Sequence, residues 1–411
     1  MSNKTILVIG TYDTKNDELE YISDRIESMG GNTLKMDVSI LGDPEKETHF
    51  SKHDVATAAG RSIKEAIDSG SEHIAMNIMS DGASKLANKL YLENEFHGVL
   101  ILGGTMGTDL ALDVCQSLPL GLPKYVVSTV SFSPIIPSER LSPDIQMILW
   151  AGGLYGLNSV CKSSLSQAAG AVLGAANAVE PPKNDKSIIG ITSLGTSCLK
   201  YITKLKPELE SRGYEVAIFH AMGMGGMAFE GIAAKNGFAC VMDFAGCELG
   251  NLLYGSIVNA GKDRMLNAGR AGIPQIVAPG CMDLIDFAGW QEIPENFEGR
   301  HIHVHNKLIQ STIFSTEERI EIAKDLNNRL SKSKAPVHLI IPNKGIEEWD
   351  RIGGDAYDPD GLKAFISALK ETVSKSVNFT EIDAHINDPA FTDKALEIFD
   401  KWVEDGTVSN G

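Results

Sequence analysis

The 411-residue sequence has few of the features that mark membrane or nucleic-acid-binding proteins. No apolar stretch approaches membrane-spanning length without polar interruption, and the opening residues 1–5 lead into a predicted strand without a signal-peptide pattern. Only 37 Lys and Arg stand against 54 Asp and Glu, and the formal charge of −17 repels nucleic acids and anionic membranes. We therefore expect neither partner, whereas a small anion can still be held locally by backbone amides and one lysine.

Cysteine is also scarce, and its spacing contains no CxxC pair. The six residues lie mostly among apolar or small neighbours: Cys115, Cys161, Cys198, Cys240, Cys247 and Cys281. A chain of this length can bury a core without disulfide bonds. Buried, reduced thiols and a cytoplasmic location are the expectation.

Two standard nucleotide motifs are missing, the GxxxxGK[ST] P-loop and an unbroken GxGxxG. Glycine, in contrast, is abundant, with 40 residues and no collagen periodicity. Such usage indicates tight loops and close backbone approaches of the kind that parallel α/β folds use at ligand sites.

The clearest break in the chain is the polar, proline-bearing segment 180–186, which predicts two domains, 1–182 and 183–411. Each domain opens with a short apolar strand (4–10 and 186–191) and a loop of hydroxyl residues. An amphipathic helix follows and ends near glycine, at Gly30 and Gly213, before another strand begins. This order predicts an α/β protein with two Rossmann-like doubly wound domains in tandem.

Later elements are predicted from the same patterns. Residues 108–117 are expected to form a helix, and 301–305 a strand whose three histidines share one face. Residues 307–328 are predicted as a charged helical run. Three adjacent histidines on a solvated strand need no metal, and no further ligand lies nearby in the sequence, so zinc is not expected there.

Three loops of the first half follow predicted strands, at the sheet edge where parallel α/β proteins bind ligands. They supply Gly10, Thr11, Asp13, Thr14 and Lys15, then Gly103, Gly104, Thr105, Gly107 and Thr108, then Ser128 and Thr129. Glycines admit phosphate oxygens, threonines donate hydrogen bonds, and helix dipoles favour anions. For any single loop, a tight turn with Thr108 as helix N-cap is the favoured explanation. Together the loops predict a phosphate cradle, with Asp37 placed either to bind ribose hydroxyls or to act as a cap.

The second half places titratable residues after its predicted strands. They are His220, Glu230, Glu248, Asp283 and His305. Gathered in one cleft, they could perform acid/base chemistry, with His220 and Glu230 as the first pair, or hold a divalent metal. The alternatives are a cap or salt bridge for Glu230 and a helix N-terminal carboxylate for Asp283.

Several segments together are similar to those of the tobamovirus-resistance-type ATP-binding family, which includes the N-terminal part of a plant antiviral resistance protein and stand-alone bacterial proteins. In the first half they are Gly-Thr-x-Asp-Thr-Lys at 10–15, Gly-Gly-Thr-x-Gly-Thr at 103–108 and Leu-Pro-x-Gly-x-Pro-Lys at 118–124. In the second half they are Phe-His-Ala-x-Gly-x-Gly-Gly at 219–226, Arg264, Gly-Ile-Pro-Gln at 272–275, His-Asn at 305–306 and Ile-Asn-Asp-Pro-Ala-Phe at 386–391.

The resemblance implies ATP with Mg²⁺ in the first domain and a homodimer. This sequence departs from the family pattern at two places, Val130–Pro134 instead of an Ala-Ser-Gly segment and Ser311–Phe314 instead of Met-Arg-Thr. The missing arginine removes an anion contact, so the substrate is expected to differ.

These observations lead to one main functional hypothesis and two rivals. The main one is an ATP-binding metabolic enzyme that uses ATP and Mg²⁺ on a small organic acid or sugar-derived metabolite, by phosphoryl transfer or ligation. The first rival is a non-catalytic module gated by ATP. The second is a metal-dependent hydrolase or lyase with regulatory ATP.

Overall fold

The computed structural model describes residues 3–153, 155–180 and 185–409. The chain forms two compact units, Met1–Pro182 and Lys183–Gly411. The predicted connector 180–186 lies in part, at 181–184, outside the described residues.

The N-terminal unit is built on a five-stranded parallel sheet. Its strands are β1 (Thr5–Gly10), β2 (Asn32–Asp37), β3 (Gly98–Gly103), β4 (Lys124–Ser128) and β5 (Ile145–Leu149). The spatial order is β2-β1-β3-β4-β5, so the first strand lies between the second and the third. The apolar runs of β1 and β3 are buried on both faces, as central parallel strands require.

Helices cover both faces of this sheet. They are α1 (Asn16–Ser28), α2 (Lys52–Ala58), α3 (Ile63–Asp68), α4 (Glu72–Leu92), α5 (Thr105–Ser117) and α6 (Ser159–Ala178). On one face α1 and α6 pack over Ile6 and Val8, and on the other α2 to α5 pack over Leu7 and Ile9. The two faces of β1 therefore divide the unit into two apolar cores.

The C-terminal unit repeats the same strand order and adds one strand. Its parallel strands are β6 (Ile188–Ser193), β7 (Glu215–His220), β8 (Cys240–Asp243), β9 (Gln275–Val277), β13 (Val337–Pro342) and β14 (Asn378–Ile382). Their order is β14-β13-β9-β8-β6-β7. A separate antiparallel sheet consists of β10 (Leu284–Ala288), β11 (His303–Val304) and β12 (Ile309–Ile313).

Seven helices are described in this unit: α7 (Lys200–Ser211), α8 (Met224–Ala234), α9 (Cys247–Leu253), α10 (Asn267–Ala271), α11 (Thr316–Leu330), α12 (Pro359–Thr372) and α13 (Pro389–Glu404). Residues of α7 and α13 share one core, and residues of α11 and α12 share another. The predicted fold class, two Rossmann-like doubly wound α/β domains in tandem, is confirmed. Within the described ranges, no helix is both long and apolar enough to cross a membrane.

Three local predictions were wrong. The helix that ends at Ser117 begins at Thr105, with Gly104 as its N-cap, so Thr108 lies in its first turn. Residues 309–313 form a strand, because they pair antiparallel with β10 and this pairing overrides the helical pattern. The predicted 301–305 strand shrinks to His303–Val304, which pairs only with β12 at the sheet edge.

Candidate functional site

A cleft of about 680 Å³ opens at the carboxyl ends of β1 and β3. In an open parallel sheet this is the topological switch point, where strand order reverses and the flanking loops diverge. Its polar wall consists of Thr11, Asp13, Thr14, Lys15, Gly103, Gly104, Thr105, Met106 and Gly107. The structure thus brings together eight of the residues predicted for the phosphate cradle.

The loop after β1 is held in place from the neighbouring strand. The Asp37 carboxylate, 1% exposed, accepts hydrogen bonds from the backbone N–H groups of Tyr12 (3.2 Å) and Ser39 (2.9 Å). The backbone N–H of Gly42 donates to Asp13 Oδ2 at 2.9 Å. Burial raises the pKa of Asp37. Asp37 therefore supports the loop from below and does not line the cleft.

The loop after β3 can turn within a few residues because the backbones of Gly103 and Gly107 approach closely. A Cβ added to Gly103 would lie 2.6 Å from the Cα of Gly107, whereas one added to Gly104 would make an ordinary contact with Thr129 Oγ1 at 3.8 Å. Thr108 Oγ1 donates to the carbonyl of Gly104 at 2.7 Å and contacts Ser128 Oγ at 2.6 Å. Thr108 and Ser128 are buried, and their hydrogen bonds fix the turn from its buried side. Gly10, at the end of β1, packs closely against Leu19.

Two helices present uncapped N-termini at this cleft. The N-cap residues are Lys15 for α1 and Gly104 for α5, and neither makes a side-chain capping bond. First-turn N–H groups without a cap bind anions readily. Lys15 Nζ donates only to the carbonyl of Thr14 (3.2 Å), and among the residues that the structure describes no carboxylate pairs with it. The polar wall is therefore suited to a multiply charged anion.

The opposite wall is apolar, and sequence reasoning missed it. It comprises Ile40, Leu41, Ala66, Ile67, Ala75 and Met76, beside Gly70, Ser71 and Glu72 at the start of α4. Leu41 is 89% exposed and Ile67 47% exposed. Exposed apolar side chains that line a cleft are available to a flat, weakly polar ligand group.

At the corresponding place in the C-terminal sheet, the end of β8, a buried ion cluster contains the predicted residues Glu230 and Glu248. Arg264, with no exposed surface, bonds Glu248 through Nε (2.6 Å) and Asp243 through Nη2 (2.7 Å) and Nη1. Its Nη1 lies 3.4 Å from Glu230 Oε1. Thr192 Oγ1 donates to Asp243 Oδ1 at 2.7 Å.

Three carboxyl groups surround this single guanidinium. Burial raises the pKa of Glu230 to about 7 and that of Glu248 to about 7, against the opposing effect of Arg264. Glu230 also accepts the backbone N–H groups of Met265 and Asn267, and Glu248 that of Gly223 (2.6 Å). Both carboxylates hold the protein together here, which agrees with the salt-bridge alternative for Glu230.

The other predicted catalytic residues lie apart from this cluster. His220 ends the edge strand β7 with an exposed side chain, and no hydrogen bond within the described ranges joins it to Glu230. His305 is exposed, and its ring centroid lies 5.9 Å from that of Trp349. Asp283 is buried and lines a different cavity. The structure does not bring the five residues into one site.

Metal-binding side chains do not cluster in the described part of the chain. Within 3–153, 155–180 and 185–409, no group of three or more His, Cys, Asp or Glu side chains is arranged to hold a metal ion. His303 instead bonds Asp355 through Nδ1 at 2.7 Å and stacks on Trp349, with ring centroids 4.2 Å apart.

The fold is that of a two-domain α/β protein with a cleft at the switch point of its N-terminal sheet. Residues 4–181 match the N-terminal domain, and residues 186–403 the C-terminal domain, of the uncharacterised protein family UPF0261. The chain belongs to this family.

Similar proteins span bacteria and a plant. A UPF0261 protein of Brucella melitensis is 52% identical over 99% of this chain and 97% of its own. One from Clostridium tetani is 35% identical over 95% of this chain and 96% of its own. The ToMV resistance protein Tm-1(GCR237) of Solanum lycopersicum is 27% identical over 96% of this chain and 55% of its own length.

Proposed function

We propose that the N-terminal unit binds ATP in the switch-point cleft. The observation that carries this proposal is the convergence of two uncapped helix N-termini and Lys15 on one polar wall, opposite an apolar wall. Phosphates suit the first wall and a base suits the second. The cleft volume of about 680 Å³ lies in the range of cofactor sites.

The donor set also fits Mg²⁺ as a companion of the phosphates. Asp13 Oδ1 is buried in the loop after β1 and has no hydrogen-bond partner in the described part of the chain. Mg²⁺ in nucleotide sites typically takes one or two carboxylates together with phosphate oxygens and water. Asp13 would contact the ion or its water, and the ion would neutralise phosphate charge.

Replacing Lys15 by alanine is expected to weaken Mg-ATP binding about 10- to 100-fold, the effect of losing a hydrogen bond to a charged group. The fold should be unaffected, because within the described ranges Lys15 Nζ bonds only the adjacent Thr14 carbonyl. Isothermal titration calorimetry measures the affinity. Lys89→Ala, on the exposed surface of α4, is the matched control and should bind as the wild type does. Equal affinity in Lys15→Ala would contradict a phosphate contact.

We further propose that the bound ATP serves a metabolic reaction on a small organic acid or sugar-derived metabolite. Support comes from the C-terminal unit, where buried carboxyl groups line a second cavity. The expected result is ATP turnover stimulated by at least one member of a panel of such compounds, measured as phosphate or ADP release. ATP binding without stimulated turnover anywhere in the panel would instead favour the ATP-gated module.

Location and assembly are proposals as well. All six cysteines are free and buried, which supports a reducing compartment, and we propose the cytoplasm. The homodimer implied by the family resemblance stays a prediction.

A further inference from the structure

A second cavity, of about 510 Å³, lies at the carboxyl end of β13 in the C-terminal unit. Asn343 and Lys344 follow that strand and form one side of the cavity. The face of α12 forms the other through Leu362, Lys363 and Ile366. Asp283 and Arg319 complete the wall, and both are 1% exposed.

This wall contains buried polar atoms that the protein leaves unsatisfied. Asp283 Oδ1 and Asn343 Oδ1 have no hydrogen-bond partner within the described ranges. Arg319 Nη2 lies 3.2 Å from Asp358 Oδ2 as an ion pair. Buried polar atoms are nearly always hydrogen-bonded, so two such oxygens on residues that line one cavity indicate partners from outside the chain.

The carboxyl groups of Asp283 and Glu347 do not stabilise the folded protein, because each is buried with an oxygen that has no hydrogen-bond partner in the described part of the chain. Glu347 is fully buried with Oε1 unpartnered, and Asp350 Oδ1 accepts from His385 Nε2 at 3.0 Å. Burial raises the pKa of Asp283 to about 7, with Arg319 opposing the shift and Asp350 adding to it. A buried carboxyl group with an unpartnered oxygen at the wall of a cavity, as Asp283 has, is typical of a ligand site.

We propose that this cavity binds a small hydroxylated organic anion, such as a sugar acid. Arg319, which also bonds the Phe314 carbonyl through Nε (3.0 Å) and pairs with Asp358, and the exposed Lys363 supply positive charge for its carboxylate. Asn343 Oδ1 accepts one ligand hydroxyl, and Asp283 contacts another. Tyr357 and Leu362 cover its carbon skeleton.

The proposal does not depend on ATP binding. Every residue of the cavity belongs to the C-terminal unit, whereas the proposed ATP cleft belongs to the N-terminal unit. Binding is therefore tested with the full chain in the absence of nucleotide. Failure of ATP binding leaves acid binding intact, and the reverse also holds, whereas the proposed metabolic reaction rests on both sites.

Calorimetry and thermal shift at millimolar ligand test the chemical class. Gluconate, glucuronate, glycerate and tartrate form the panel, with glucose, acetate and inorganic phosphate as comparisons. At least one sugar or hydroxy acid is expected to bind about tenfold or more tightly than glucose and acetate. Glucose lacks the carboxylate and acetate lacks the hydroxyl groups that the cavity would bind. Phosphate binding as tight as that of the acids, or no binding by any acid, would overturn the proposal.

A pair of variants separates binding from stability. Asp283→Ala should keep or raise the melting temperature, because the carboxylate is buried with an unpartnered oxygen and so costs stability. The same variant should bind the acid about tenfold or more weakly, because a hydrogen-bond partner of the ligand is lost. Asp286→Ala should lower the melting temperature but keep the affinity, because Asp286 is bonded by Ser311 (2.6 Å) and Asn251 (2.9 Å) outside the cavity.

A third variant covers the case in which a buried substitution prevents folding. Lys363→Ala changes an exposed side chain of α12 and should weaken the acid severalfold without a change in melting temperature. Unchanged affinity in both Asp283→Ala and Lys363→Ala would overturn the assignment of the site.

Discussion

Replacing Arg264 by methionine is expected to destabilise the C-terminal unit by about 3–5 kcal/mol, the usual consequence of removing one partner of a buried ion pair. Arg264 is the shared partner of Asp243, Glu248 and Glu230, all at most 5% exposed. Methionine fills most of the volume, so the loss comes mainly from carboxylates that remain buried without a counter-charge. Urea unfolding of the full chain, followed by circular dichroism, measures it.

The loss should depend on pH in a defined direction. Burial places the folded-state pKa of Glu230 and of Glu248 at about 7, above the value of about 4.3 for an unfolded chain. When the pKa of a carboxyl group is higher in the folded than in the unfolded protein, the stability of the fold falls as the pH rises from about 4.3 through about 7. The reason is that the folded state still binds a proton that the unfolded state has released. Removing Arg264 raises both pKa values further. The destabilisation should therefore be larger at about pH 8.5 than at about pH 5.5.

Arg270→Met is the matched control for this prediction. Arg270 pairs with Asp263 on the surface, where both side chains are more than half exposed. Exposed pairs contribute little, so the control should unfold as the wild type does at both pH values. An Arg264→Met protein with wild-type stability at alkaline pH would show that the carboxylates do not need the guanidinium.

The sequence predicts the parts of this fold that depend on local patterns. The apolar run of β1 and the helical spacing of Leu19, Ile22 and Ile26 in α1 identify a strand and the buried face of a helix. Strand β12 depends on pairing with β10, more than 20 residues earlier in the chain, and its own residues resemble a helical continuation. Non-local pairing therefore explains why residues 309–313 form a strand although their sequence pattern predicts a helix.

The same division applies to the site. A loop that follows a predicted parallel strand must lie at one edge of the sheet, so the polar wall of the cleft could be placed from sequence. The apolar wall comes from Leu41 and Ile67, in segments whose packing only the fold defines. Likewise, the sequence does not show that Arg264 lies between Glu230 and Glu248. Because of these contacts, the two predicted catalytic groups belong to a buried ion cluster.

Replacing Gly104 by alanine is expected to weaken Mg-ATP about 10- to 100-fold while the protein stays folded. The added Cβ would make an unstrained contact with Thr129 Oγ1 at 3.8 Å beside the N-terminus of α5, where phosphate oxygens need to approach the backbone. The negative φ of −75° suits alanine. Gly103→Ala makes the contrast, because its Cβ would meet the Cα of Gly107 at 2.6 Å, so that variant should lose stability instead. A folded Gly104→Ala protein with wild-type ATP affinity would exclude the N-terminus of α5 from the phosphate site.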